Sequence, residues 1–196
     1  MPALVLRSAL ALLFILTIGS CAPSRLVPSG PPPENWAVLV PGLWDDSSRY
    51  NQLRPLLEER GWRVLDFPLV PNNGSVSNRQ LASQLGARIE NTIPRRDQVA
   101  LIGFSMGGLV ARSYVQEMNG HRRVDRLLTI GSPNQGTETA RLLNREGIRE
   151  MVPGSPFLDS LNRRHFSTLR EIPYGNIWTS SDGVILPAGN ARIPGG

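Results

Sequence analysis

The sequence allows itself three residues in which to turn a strand into a helix. Gln98–Ile102 is a short apolar run that reads as a buried strand, and Met106–Asn119 has helical character that Gly120 stops. Between them lie Gly103, Phe104 and Ser105, with Gly107 and Gly108 in the first turn of the helix. A reversal that sharp strains the backbone of the serine and crowds its neighbours, so the flanking glycines remove Cβ atoms that would clash. The turn lifts the serine hydroxyl out of the sheet. It also aims the first amides of the helix at the same point, where they can stabilise developing negative charge. Ser105 is thereby the candidate nucleophile, with the Met106 amide beside it.

The rest of the body alternates in the same way. Trp36–Val40, Arg63–Phe67, Val124–Ile130 and Tyr174–Thr179 read as further strands. Tyr50, Leu53, Leu56 and Leu57 mark a helix between Ser47 and Arg60 that Gly61 closes, with Pro55 implying a kink or a late start. Ser77 and Gln80 form a capping-box pair ahead of Leu81, Leu85 and Ile89. The pattern predicts an α/β fold: a doubly wound, mostly parallel sheet with helices on both faces. In such sheets chemistry gathers at the carboxyl ends of the strands.

Charge narrows the partners. The net charge is +5, and all 21 cationic side chains are arginine. They are scattered singly or in pairs such as Arg95-Arg96, without interleaved aromatics, so the pattern is a solvated surface and not a nucleic-acid site. No metal is expected, because two distant histidines and one cysteine form no ligand cluster. No nucleotide or cofactor loop is present, so no cofactor is expected either.

The N-terminus reads as an address. Residues 1–21 carry Arg7 as their only charge, then an apolar run from Ala9 to Ile18 that is too short to span a bilayer. Ile18-Gly19-Ser20-Cys21 resembles a bacterial lipobox, which implies acylation of Cys21 and a membrane-anchored, exported lipoprotein on the periplasmic or cell-surface side. An ordinary cleaved signal is the alternative. Cys21 is the sole cysteine, so no internal disulfide is available. Residues 22–35, with five prolines, form a linker that reaches about 40 Å when extended. Residues 36–196 are the folded domain.

Ile102-Gly103-Phe104-Ser105-Met106-Gly107-Gly108-Leu109 resembles the nucleophile elbow of bacterial triacylglycerol lipases and esterases of the α/β-hydrolase superfamily. Val38–Leu43 is similar to their first strand and oxyanion loop, with Pro41 where a histidine is usual. Thr129-Ile130-Gly131-Ser132-Pro133 is similar to a further segment, with Asn134 replacing a histidine. The likeness runs from about Trp36 to Pro187, nearest in size to the compact lidless lipases. It implies a serine carboxyl-ester hydrolase acting on lipid or short-chain esters. Ser105 would be the nucleophile and the amides of Leu43 and Met106 the oxyanion hole, although Trp44, Asp45 or Asp46 could supply the loop's donor. Asp45 and Asp46 also suit a helix start.

The resemblance also makes Asp182, in Ser181-Asp182-Gly183-Val184, the triad acid; an aspartate beside glycine is otherwise a turn former. The fold's order then calls for a histidine after the acid, and none follows Asp182. His121 belongs to a surface turn at the wrong end of the sheet. His165 is on the catalytic side but in an order the fold does not normally use. The expectation is a domain apparently lacking its last strand and helix, either truncated or catalytically incomplete and acting as a binding protein. Residues 138–173 take the place of a cap, in which Met151, Val152, Phe157 and Leu158 either line an acyl site or pack beneath their own loop.

Overall fold

The computed structural model describes residues 34–194. The expected signal peptide, the lipobox with Cys21 and all but the end of the linker lie outside the described residues. Among the described residues five strands form one parallel sheet: β1 (Asn35–Val40), β2 (Arg63–Asp66), β3 (Gln98–Phe104), β4 (Arg126–Ile130) and β5 (Tyr174–Ile177). Their order is β2-β1-β3-β4-β5. The winding therefore reverses between β1 and β3, and the two diverging connections leave a crevice at the carboxyl ends of those strands.

Alternation along the strands separates two faces. Val38, Val40, Leu101 and Leu127 point into the larger core beneath α2 (Asn78–Thr92) and α3 (Met106–Glu117). Ala37, Leu39 and Ile102 point to the other face, against Tyr50 and the short α1 (Leu53–Glu58). Helices thus cover both faces of a parallel sheet, as the alternating pattern predicts. The larger core is where hydrophobic burial concentrates, at roughly 25 cal/mol per Å² removed from water.

The elements follow from local chemistry. The expected helix at 47–60 splits into a 3₁₀ turn, Ser47–Tyr50, capped by Asp46, and α1, which starts late so that Pro55 falls in its first turn. The side chain of Ser77 accepts from the Gln80 amide and caps α2. α3 ends at Glu117, and the left-handed residue beyond it is Asn119 (φ 59°), not the expected Gly120. Asparagine tolerates that conformation because its short polar side chain can bond locally. The fourth and fifth strands are shorter than expected, beginning at Arg126 and ending at Ile177. Beyond β5, no described residue pairs with its outer edge. Leu57, Trp62, Leu128, Pro173 and Gly175 line an apolar groove on the face that α1 leaves partly bare.

The connection from β4 to β5 carries only short pieces: a 3₁₀ turn (Glu138–Leu142), α4 (Glu146–Arg149), α5 (Pro156–Asp159), a π-turn at Ser160–Arg164 and α6 (Phe166–Leu169). Glu117 fastens it to the body. Its carboxylate accepts from Arg79 (2.7 and 2.9 Å), Ser113 (2.9 Å) and Ser160 (2.6 Å). Burial alone would raise this carboxyl, but the donors from Arg79, Ser160 and Ser113 outweigh it and hold it below the usual glutamate range. The stability it contributes is whole above the unfolded-state value of about pH 4.3 and declines as pH falls through the lower folded value. Thermal midpoints measured across that window fall more steeply in the parent than in Glu117→Gln, which no longer titrates there.

Candidate active site

The strand-to-helix turn has the geometry its sequence demands. Ser105 sits at φ 51°, ψ −124°, one of three non-glycine residues with positive φ among the described residues. Such a conformation costs of order 1–3 kcal/mol and persists only where the surroundings impose it. Here they do. The Ser105 amide donates to the Ile130 carbonyl of β4 at 3.0 Å, and the Gly108 amide returns to the Ser105 carbonyl at 3.0 Å. A Cβ on Gly107 would overlap the carbonyl oxygens of Val40 and Pro41, and one on Gly103 would lie 2.5 Å from the Gly108 Cα. Gly107 thus lets α3 begin in contact with the end of β1. The Tyr50 hydroxyl braces the same junction, donating to the carbonyls of Val40 (2.8 Å) and Ile102 (3.2 Å). Arg49 stacks over the Phe104 ring at 4.5 Å.

Among the described residues, no acceptor engages the amides of Leu43 or Met106. The other candidates in the loop after β1 are occupied. The Trp44 amide donates to the Asn72 carbonyl (2.8 Å), Asp45 to the Gly42 carbonyl (3.3 Å), and Asp46 to the Asp45 carboxylate (3.2 Å). Asp46 caps the following turn by accepting from the Ser48 amide (2.8 Å), and hydrogen bonding from the Ser48 side chain, together with that amide, holds its carboxyl below the usual range.

Ser105 opens into a cavity of about 530 Å³. Its walls come from the loop after β1 (Leu43, Trp44), from the β4–β5 connection (Leu142, Leu143, Ile148, Met151) and from the loop after β5 (Val184, Ile185). The polar contributors are Ser105, Thr137 and Thr139, and no charged side chain lines it. Pockets of this size and character take small, mostly apolar ligands. Of the four residues weighed for an acyl site, Met151 reaches the cavity, whereas Phe157 and Leu158 are buried in the main core with Val152 packed beside them. Leu142, Leu143, Ile148 and Val184 carry no residue-type signal that the sequence alone would have singled out.

Asp182 lies two residues before the cavity wall at Val184. Its Oδ1 accepts from the amides of Val184 (2.8 Å) and Ile185 (2.9 Å), shaping the turn. Threonines then bolt that turn to the β4 loop: Thr137 and Thr139 donate to the Val184 carbonyl (2.9 and 2.8 Å), and the Leu186 amide donates to Thr137 Oγ1 (2.9 Å). The structure thus gathers Leu43, Ser105, Met106 and the Asp182 turn around one crevice.

It does not gather the histidines. The His165 carbonyl accepts from Gln116, near the far end of α3 from Ser105. At about 1.5 Å per residue, that is roughly 15 Å along the helix. His121 is half-buried rather than on the open surface, its Nε2 3.4 Å from Glu171. Among the described residues, no group of three histidine, cysteine or carboxylate side chains is arranged to hold a metal.

The sequence model of a family described as palmitoyl protein thioesterase matches residues 38–181. A rat protein named lysosomal thioesterase PPT2 is 29% identical over 119 residues, 57% of this chain and 39% of that protein. The chain thus spans about two fifths of the length of that curated relative. In fold, the chain is similar to the mature lipase BlEst2 of Bacillus licheniformis (TM-score 0.61, 19% identity, 86% of this chain and 83% of that one). It is likewise similar to lipase B of Aspergillus fumigatus (TM-score 0.67, 16% identity, 82% and 41%). The fold is that of the α/β-hydrolases. The likeness to lipases is one of fold, while the family match is to thioesterases.

Proposed function

The chain belongs to the palmitoyl protein thioesterase family, and from that premise we propose that it hydrolyses fatty-acyl esters, thioesters included, through an acyl-enzyme on Ser105. One observation carries the reading. A strained serine stands at the mouth of an uncharged cavity, beside two amides that no described acceptor engages. In this mechanism Ser105 Oγ attacks the acyl carbon. The Met106 and Leu43 amides take the charge that develops on the carbonyl oxygen. The thiolate or alkoxide leaves with a proton, and water then releases the acid. The apolar walls hold the acyl chain. Asp182, on the rigid turn beside the cavity, is the group to orient a general base.

The base is the weak link. A serine hydroxyl is a poor nucleophile until a neighbour takes its proton, and neither His121 nor His165 stands near Ser105. That observation favours a second reading, in which the same cavity holds an acyl group without cleaving it. A fluorophosphonate probe separates the two. Labelling that mass spectrometry maps to Ser105, and that Ser105→Ala abolishes, supports an activated nucleophile. A folded, unlabelled chain that still binds a fatty acid supports the second.

The N-terminal segment extends the reading to location. An acylated Cys21 would tether the domain to a membrane on the exported side. Under this assignment Cys21→Ala moves the protein from the membrane fraction to the soluble fraction in a bacterial host. An unchanged distribution overturns it.

A further inference from the structure

Nine large apolar side chains stand exposed among the described residues, and four of them surround one opening. Trp44 (59% exposed), Leu142 (81%), Leu143 (40%) and Val184 (68%) all line the cavity that contains Ser105. They come from three separate loops, after β1, after β4 and after β5. A run of chance exposures in one loop does not explain that convergence. Clustered apolar exposure on a folded domain marks a surface that meets something other than water.

The charges around the leucine pair indicate what. Arg141 and Arg145 bracket Leu142-Leu143, Arg149 follows one short helix later, and all three are exposed. Glu138 pairs with Arg141, and Glu146 is the other exposed carboxylate of that stretch. Arg145 already donates one N–H to the Asn73 carbonyl (2.9 Å), which leaves the rest of its fork free to turn outward. Guanidinium forks suit phosphate, and apolar side chains above them suit acyl chains. At the far end of the chain, an acylated Cys21 would keep the domain beside a bilayer.

We propose that the cavity rim is a lipid-docking surface. Trp44, Leu142, Leu143 and Val184 enter the boundary between headgroups and acyl chains, with Arg145 and Arg149 against the phosphates. An acyl chain then passes from the layer into the cavity without crossing water. This rests on the reading that the cavity takes an acyl chain, but its test is separate from the test of hydrolysis.

The test uses the full chain carrying Cys21→Ala, so that no acyl anchor forms. Vesicles are made of phosphatidylcholine with or without phosphatidylglycerol, part of the lipid bearing brominated acyl chains that quench tryptophan. Docking predicts quenching that Trp44→Phe removes, and tighter binding when phosphatidylglycerol is present. Leu142→Asp with Leu143→Asp, at exposed positions that leave the fold intact, weakens the partition about tenfold or more. Quenching that survives Trp44→Phe, equal binding to both compositions, or binding indifferent to the aspartate pair overturns the proposal. Fluorophosphonate labelling of the same samples keeps the two questions apart. Rim insertion without labelling counts against hydrolysis alone, and labelling without insertion counts against docking alone.

Discussion

Gly107→Ala abolishes fluorophosphonate reactivity at Ser105 and destabilises the domain by about 3 kcal/mol or more. The added methyl has nowhere to go. It meets the carbonyl oxygens of Val40 and Pro41, which are backbone atoms held in the β1–β3 ladder and at its end. Relief requires the start of α3 to move off the sheet, and the Met106 amide moves with it. Gly86→Ala is the informative comparison. Its Cβ would lie 2.7 Å from Cε2 of the Tyr114 ring, a core side chain remote from Ser105 rather than backbone at the end of β1, so the fold loses about 1–3 kcal/mol and labelling survives. Chemical denaturation of both variants, with the probe applied under native conditions, checks the pair. Equal losses in the two would show that the contact with the end of β1 does not set the nucleophile.

Arg112→Ala costs on the order of 3–5 kcal/mol. Arg112 is fully buried in α3, and among the described residues no carboxylate accepts a hydrogen bond from it. Its guanidinium donates instead to amide oxygens: Gln116 Oε1 (2.9 Å), Asn134 Oδ1 (3.1 Å) and Asn162 Oδ1 (2.8 Å). Burial pushes its pKa down to about 10, which still leaves it charged at neutral pH. Asn134 passes the connection on, donating to the Ala191 carbonyl (2.8 Å), while Asn162 donates to the Asn134 carbonyl (2.8 Å). One cation therefore ties α3 to two points of the β4–β5 connection, and indirectly to the final described turn. Truncation leaves three amide oxygens dry and a cavity behind them. The thermal midpoint drops by about 6–20 °C on the usual scaling for a domain this size. Arg112→Lys does not restore it, because a single ammonium cannot span three acceptors set in a fork.

How much of this the sequence disclosed depends on the range of the interaction. The elbow was legible because its constraint is local: a strand, a helix and the glycines between them state their own geometry. The parallel α/β architecture was legible for the same reason, through periodicity. In the loop after β1 the sequence named Leu43 by position alone and left its neighbours open, since backbone amides have no residue type. The structure separates the four amides only through their acceptors: the Asn72 carbonyl takes Trp44, the Gly42 carbonyl Asp45 and the Asp45 carboxylate Asp46. Arg112 was opaque for a different reason. On a helix an arginine ordinarily faces water, and only the folding of residues 134 and 162 over α3 buries it. The cavity rim was hidden too, because its apolar residues lie far apart in the chain and meet only through the tertiary fold.

The outer side of β5 has a bearing on how the molecule keeps company with itself. A naked flank of a sheet invites a second copy to dock ribbon to ribbon. This flank is four residues long, follows Pro173, and includes Gly175 and Asn176, which are poor ribbon formers. It offers a newcomer few free amides and little to grip, so among the described residues its own shortness is the guard.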